Sequence, residues 1–181
     1  MNTGMNTKTK QMTFTALATA VICILSPFTI QIPFSPVPIS LTIFAIYMAV
    51  YVLGMKWGMA ATGLYILIGL VGVPVFAGFT GGVGKLLGPT GGYIIGYLFV
   101  ALVSGCLIDR YEAKRYMHVI GMVLGSAVCY LFGTIWLAKV ADMHFMAALS
   151  AGVLPFIPAD AVKIIVAVLT GPKLRNALHR I

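Results

Sequence analysis

Six apolar stretches, each near the length of a bilayer crossing, follow one another along this chain with few polar residues between them. Hydrophobic residues fill 60% of the 181 positions and charged residues 9%, and the mean hydropathy is +1.02, far outside the range of a water-soluble domain. The expected fold is therefore all-α: a polytopic membrane protein, one integral membrane domain over residues 1–181, built as a six-transmembrane-helix bundle with its N- and C-termini cytoplasmic. Six crossings fit only if most connections are short.

The spans are read from about Gln11 to Phe28, Ile39 to Leu53, Met59 to Phe76, Thr90 to Ile108 and His118 to Val140, with a sixth helix opening at Pro158. The first resembles a signal peptide in length, but no small-residue cleavage site ends it and more spans follow, so it reads as a retained helix. Between spans one and two, Pro33, Pro36 and Pro38 forbid a continuing helix and favour a stiff, extended loop. Gly54 to Gly58 is read as a tight turn carrying Lys56 and Trp57 as interfacial anchors. The pairs Gly92/Gly96 and Gly121/Gly125 are spaced for close helix packing, as are Ala16 and Ala20, which form a smooth strip on the first helix.

Charge sets the expected orientation. With both ends inside, Lys8, Lys10, Lys56, Arg110, Lys114, Arg115, Lys173, Arg175 and Arg180 lie on the cytoplasmic side, and Lys85 and Lys139 outside. The net charge of +8 is scattered between apolar segments and forms no stripe for nucleic acid, so no nucleic-acid partner is expected; the partner along its length is the lipid bilayer. Cys23, Cys106 and Cys129 lie in apolar stretches without paired or metal-ligand spacing and read as buried small hydrophobes. His118, His144 and His179 likewise lack metal spacing and read as interfacial or surface residues.

Chemistry concentrates in the sixth helix. Pro158 suits a first helical turn, which places Asp160 near the helix N-terminus and Lys163 three residues on, along one face. The macrodipole favours a carboxylate there, and the neighbouring ammonium offsets its desolvation. Ionisable residues within a span mark a substrate or ion path by default; the plainer reading is an ion pair that only fixes the helix against its neighbours.

The glycine-rich connection from Ala77 to Tyr93 contains Lys85, yet it is no nucleotide loop. Phe79 stands where a Walker loop needs its first Gly and Leu86 where it needs Ser or Thr, and Lys-Leu-Leu interrupts any dinucleotide fingerprint before Gly88. So many glycines instead let backbone double back and approach a ligand. With this orientation the proline loop, the glycine loop and Asp160 share the outer face and describe a pocket for a small solute. Lys163 can donate to a carbonyl, Asp160 can accept from N–H groups, Lys85 can meet an anionic tail, and Tyr93 offers a flat wall. No nucleophile stands beside a base, so no catalytic residues, cofactor or metal are expected.

Three segments carry a resemblance. Val73-Pro-Val-Phe-Ala-Gly78-Phe-Thr-Gly-Gly82, Leu87-Gly-Pro-Thr-Gly-Gly-Tyr93-Ile-Ile-Gly96 and Pro155-Phe-Ile-Pro-Ala-Asp160-Ala-Val-Lys163 closely resemble the BioY family, the biotin-specific substrate-binding (S) subunits of energy-coupling factor (ECF) transporters. The resemblance covers nearly the whole chain. It implies six helices, a biotin site near the outer face, a prokaryotic cell membrane location and no ATPase in this chain. Energy would come from a separate module of two ATP-binding cassette ATPases and a transmembrane coupling protein. Matched onto this sequence, Asp160 and Lys163 would bind the ureido ring, and Ala16 and Ala20 would dock on the coupling protein. Gly88, Thr90 and Tyr93 of the glycine loop join the substrate-binding candidates, and Lys85 is assigned to the biotin carboxylate by charge and location. One departure is that Thr42 stands where the family often has Gln, which admits an altered affinity or a related vitamin as ligand. The readings from other classes are an ion-coupled secondary carrier protonated at Asp160 and a structural assembly subunit that binds no small molecule.

Overall fold

A computed structural model describes residues 7–31, 33 and 35–178; His179 and Arg180 therefore lie outside the described residues. In chain order the elements are α1 (Thr7–Leu25), β1 (Thr29–Ile30), β2 (Ile39–Ser40), α2 (Thr42–Leu70), α3 (Val83–Leu87), α4 (Gly91–Arg110), α5 (Arg115–Val140), α6 (Phe145–Gly152) and α7 (Phe156–Leu178). The two strands pair antiparallel, Thr29 opposite Ser40 and Ile30 opposite Ile39, and close the base of the proline loop.

Helix α2 is a hairpin. Gly54 has φ +75° and ψ 179°, outside the helical region. A Cβ placed on Gly58 would lie 3.0 Å from the Cα of Val50, whereas eight residues of continuous helix would separate the two by about 12 Å. The chain thus reverses at Gly54, and residues 42–53 and 55–70 run side by side. Asp109, at the end of α4, accepts the Met55 N–H at 2.7 Å and so caps the second arm. A side chain at position 54 would press to 2.9 Å from the same carboxylate, so glycine is required for both conformation and space.

Counted this way, α1, the two arms of α2, α4, α5 and α7 supply the six expected helical segments. Helices α4 and α5 are each long and apolar enough to cross a membrane, the two arms of α2 are each shorter than 18 residues, and α6 with α7 passes as one span bent by 45°. Hydroxyls inside these helices are satisfied locally: Thr15, Thr19, Thr62 and Thr170 each donate to the carbonyl four residues back, at 2.7 to 2.9 Å. Large apolar side chains such as Leu17, Ile24, Leu67, Leu131, Ile165 and Leu169 are exposed around the bundle, where lipid would cover them.

The first arm of α2 is the hub. Ile46, Tyr47, Val50 and Tyr51 are fully buried there, with α1, α4 and α7 packed around the hairpin. Across the broad α4–α5 seam, a Cβ on Gly96 would strike the Cys129 sulfur at 2.7 Å, and one on Gly125 would reach the Val100 backbone at 3.2 Å. Both glycine pairs thus bring helix backbones together.

Several boundaries differ from the sequence reading. The turn expected over Gly54 to Gly58 is Gly54 alone, with Lys56 and Trp57 already helical. The third helical segment ends at Leu70, short of Phe76, because Gly72 adopts φ +111° and Pro74 has no N–H. Helix α7 runs on through Pro172 to Leu178, past the Gly171–Pro172 pair, a pairing that ordinarily marks a helix end, and the short helices α3 and α6 occupy segments expected to be loop. Cys106 is exposed rather than buried. His118 is 3% exposed rather than interfacial, with its ring between the Tyr51 hydroxyl at 3.2 Å and the Tyr111 carbonyl at 3.0 Å.

Candidate functional site: a buried acid–base pair in a two-part cleft

Asp160 and Lys163 are the fifth and eighth residues of α7 and are only 4% and 9% exposed. The Lys163 Nζ donates to Asp160 Oδ1 at 2.6 Å. A third group completes the cluster: the Tyr130 hydroxyl, reaching across from α5, donates to Asp160 Oδ2. Both carboxylate oxygens therefore have a donor, while each keeps a lone pair and Lys163 keeps two N–H groups.

The pair floors a cleft walled by Val37, Pro38, Ser40 and Ile43 on one side and by Tyr93, Tyr97, Tyr130 and Phe156 on the other. A second cleft shares Val37, Pro38, Tyr93 and Tyr97 and continues to Tyr65, Ala77, Thr90 and Lys85. The two form one elongated space with a buried ion pair at one end, tyrosines along its length and a lysine at the other. It is nearly filled. The free volumes are about 30 and 20 Å³, room for little more than a water each.

Hydrogen bonds fasten described residues of both loops over this space. The Ser35 hydroxyl donates to the Ala151 carbonyl at 2.7 Å and accepts the Val37 N–H at 3.1 Å, fastening the proline loop to α6. The Gly78 N–H donates to the Pro27 carbonyl at 3.0 Å, which joins the two loops. Gly91 packs where a Cβ would overlap the Leu86 carbonyl, and the Trp136 indole N–H donates to the Gly88 carbonyl at 3.0 Å, fixing the glycine loop against α5.

Of the residues singled out in the sequence, Asp160, Lys163, Lys85, Tyr93 and Thr90 all line the cleft. Tyr93 presents its ring and spends its hydroxyl on the Gly152 carbonyl at 3.1 Å. The Thr90 hydroxyl is buried and has no hydrogen-bond partner among the described residues. Gly88 stands outside the lining and instead holds Trp136. Ala16 and Ala20 are exposed on α1, opposite the buried Thr15, Thr19 and Ile22, and form no part of the cleft. Thr42 does not line it either. Its hydroxyl lies 2.7 Å from Ser26 Oγ and 2.9 Å from Ser40 Oγ, and Ser26 lies 2.5 Å from the Tyr65 hydroxyl. This buried cluster accommodates a short hydroxyl side chain at position 42. Tyr130 was missed, since nothing in its sequence surroundings marks it.

Two larger depressions lie at the opposite end of the bundle, about 420 Å³ beside Lys10, Trp57 and Asp109 and about 430 Å³ beside Tyr51, Arg115 and His118. Arg175 lines both and is already paired with Glu112 at 2.6 Å and Asp109 at 3.7 Å. These are surface hollows bordered by an ion-pair network, and the buried Tyr51 and His118 at the second are already hydrogen-bonded, to each other and, for His118, to the Tyr111 carbonyl. Among the described residues no His, Cys, Asp and Glu cluster could hold a metal ion.

Fold and site together define a multi-pass membrane protein with a small-molecule cleft at one end of its helix bundle. The BioY family model matches residues 1–180, and the chain belongs to the BioY family. It is 37% identical over 147 residues to the biotin transporter BioY of Thermotoga maritima, covering 81% of this chain and 86% of that one. It is 36% identical over 169 residues to the probable biotin transporter BioY of Pyrococcus horikoshii, covering 93% and 98%. The fold matches a 2.1 Å crystal structure of the S-component for biotin from an ECF-type ABC transporter, with a TM-score of 0.88 and 34% identity, covering 95% of this chain and 94% of that one.

Proposed function

We propose that this chain is the biotin-capture subunit of an ECF-type importer in a prokaryotic cell membrane, with both termini cytoplasmic and the α7 cleft facing outward. The observation that carries this reading is the Asp160–Lys163 pair, buried at one end of a cleft whose other end carries Lys85. The ureido group of biotin offers two N–H donors and one carbonyl. Asp160 takes an N–H with a free lone pair, and Lys163 gives the carbonyl a free N–H. The tyrosine-lined middle suits the apolar bicycle and valerate chain, and Lys85 with the unpartnered Thr90 hydroxyl suits the carboxylate. Entry requires residues lining the cleft to withdraw, since the free volume is far below that of such a ligand.

The chain supplies recognition, and ATP hydrolysis belongs to separate partners, two ATPases and a transmembrane coupling protein. The exposed Ala16/Ala20 strip lets a partner helix approach α1 closely. Uptake of labelled biotin into vesicles containing the chain and its energising subunits tests the arrangement. Uptake is expected to require ATP and to persist when the proton gradient is collapsed. Loss of uptake on collapse, with ATP present, would favour the ion-coupled carrier protonated at Asp160.

A further inference from the structure

We propose that Tyr130 is a positioning residue for ligand recognition: its hydroxyl fixes the plane of the Asp160 carboxylate so that the remaining lone pairs face the cleft. The inference rests on the ureido-binding role given above to Asp160. Lys163 alone cannot do this. It lies three residues along the same helix and holds Oδ1 only, at 2.6 Å, and a carboxylate held at one oxygen can still swing about its terminal torsion, which is broad. Tyr130 holds Oδ2 from α5, a different helix. Anchors on both oxygens from two helices leave one carboxylate orientation.

The backing of Tyr130 is ordered as well. One turn earlier on the same helix, Ser126 Oγ lies 2.7 Å from the hydroxyl of Tyr47, a fully buried residue of α2. Cys129 is also fully buried, against Gly96 of α4. Tyr130 is therefore presented from the closely packed α4–α5 seam.

A group acting through the N–H acceptor affects ligands according to the N–H groups they bring. Tyr130→Phe keeps the ring and removes only the hydroxyl, and a hydrogen bond to a charged group in a dry site corresponds to a roughly ten- to hundredfold change in affinity. The experiment measures dissociation constants of the full chain, in detergent, for biotin and for an analogue methylated at the ureido nitrogen facing Asp160, identified as the methyl position that weakens wild-type binding more. Melting temperatures of both proteins establish that each is folded.

Wild type is expected to prefer biotin strongly. In Tyr130→Phe, biotin should weaken at least tenfold while the methylated analogue changes little, so the preference shrinks. An equal loss for both ligands, or no loss for either, overturns the proposal, because a packing defect would lower both affinities and leave their ratio intact. Should Tyr130→Phe melt too low to measure, 4-aminophenylalanine placed at position 130, which keeps the ring and a donor at the same reach, must retain the preference, and its loss there overturns the proposal. Absence of biotin binding to the wild type would instead remove the functional reading itself, and this inference with it.

Discussion

At the residue scale, the decisive features are two ionisable groups that lipid-facing chemistry would exclude. Asp160→Asn leaves the Lys163 ammonium buried without its counter-charge, and breaking a buried pair costs about 3–5 kcal/mol. The variant should still reach the membrane and remain monodisperse, but with a lowered melting temperature. Biotin should raise the melting temperature of the wild type by mass action, about 4 kcal/mol at a thousandfold excess over Kd. It should not raise that of Asp160→Asn or Lys163→Ala. A biotin-dependent shift preserved in both would remove the pair from the site.

Asp160 and Lys163 were legible because charge within an apolar segment is conspicuous in any sequence. Tyr130 was not. It lies 30 residues from Asp160 among other apolar and aromatic positions, and only the packing of α5 on α7 reveals its partner. Thr42 shows the opposite case. It drew attention as a departure from a pattern, but its side chain belongs to the hydroxyl cluster with Ser26, Ser40 and Tyr65. Thr42→Ala should leave biotin affinity within a few-fold and reduce stability by about 1–2 kcal/mol, measured by thermal melting, since it leaves buried hydroxyls short of a partner.

At the element scale, long hydropathic periods defined the helices, while their ends depended on single residues. The α2 reversal at Gly54 depends on a left-handed φ and on the Asp109 carboxylate pressed against it. Gly54→Ala should therefore destabilise by about 1–3 kcal/mol, the usual cost of a strained backbone position. Asp109→Ala, which uncaps Met55, should cost about 0.5–2 kcal/mol. Both are read from melting curves, and a neutral Gly54→Ala would contradict the hairpin geometry. Helices α3 and α6 are five and eight residues long, too short for periodicity to separate from loop. The extension of α7 through Pro172 also escaped the sequence, because a proline ends most helices but removes only one N–H.

At the scale of the whole molecule, the surfaces proposed for recognition and for coupling are different ones. The cleft lies among α2, α4, α5 and α7 with two loops over it, whereas Ala16 and Ala20 face outward on α1. Ala16→Trp should accordingly leave the biotin dissociation constant within twofold and stop ATP-driven uptake; equal loss of both would remove α1 from the docking role. The order of the helical segments was readable from apolar lengths. The seating of Val37 and Pro38 in the wall of the cleft was not, because loop packing depends on contacts such as that of Ser35 with Ala151, 116 residues apart. The most direct test of the central claim is equilibrium binding of biotin to the purified chain alone, in detergent, with desthiobiotin and lipoate as competitors. Tight, saturable binding that desthiobiotin competes, lipoate does not, and Asp160→Asn abolishes is the predicted result. A folded, monodisperse chain that binds no biotin, or that binds it equally well without the Asp160 carboxylate, would contradict the account.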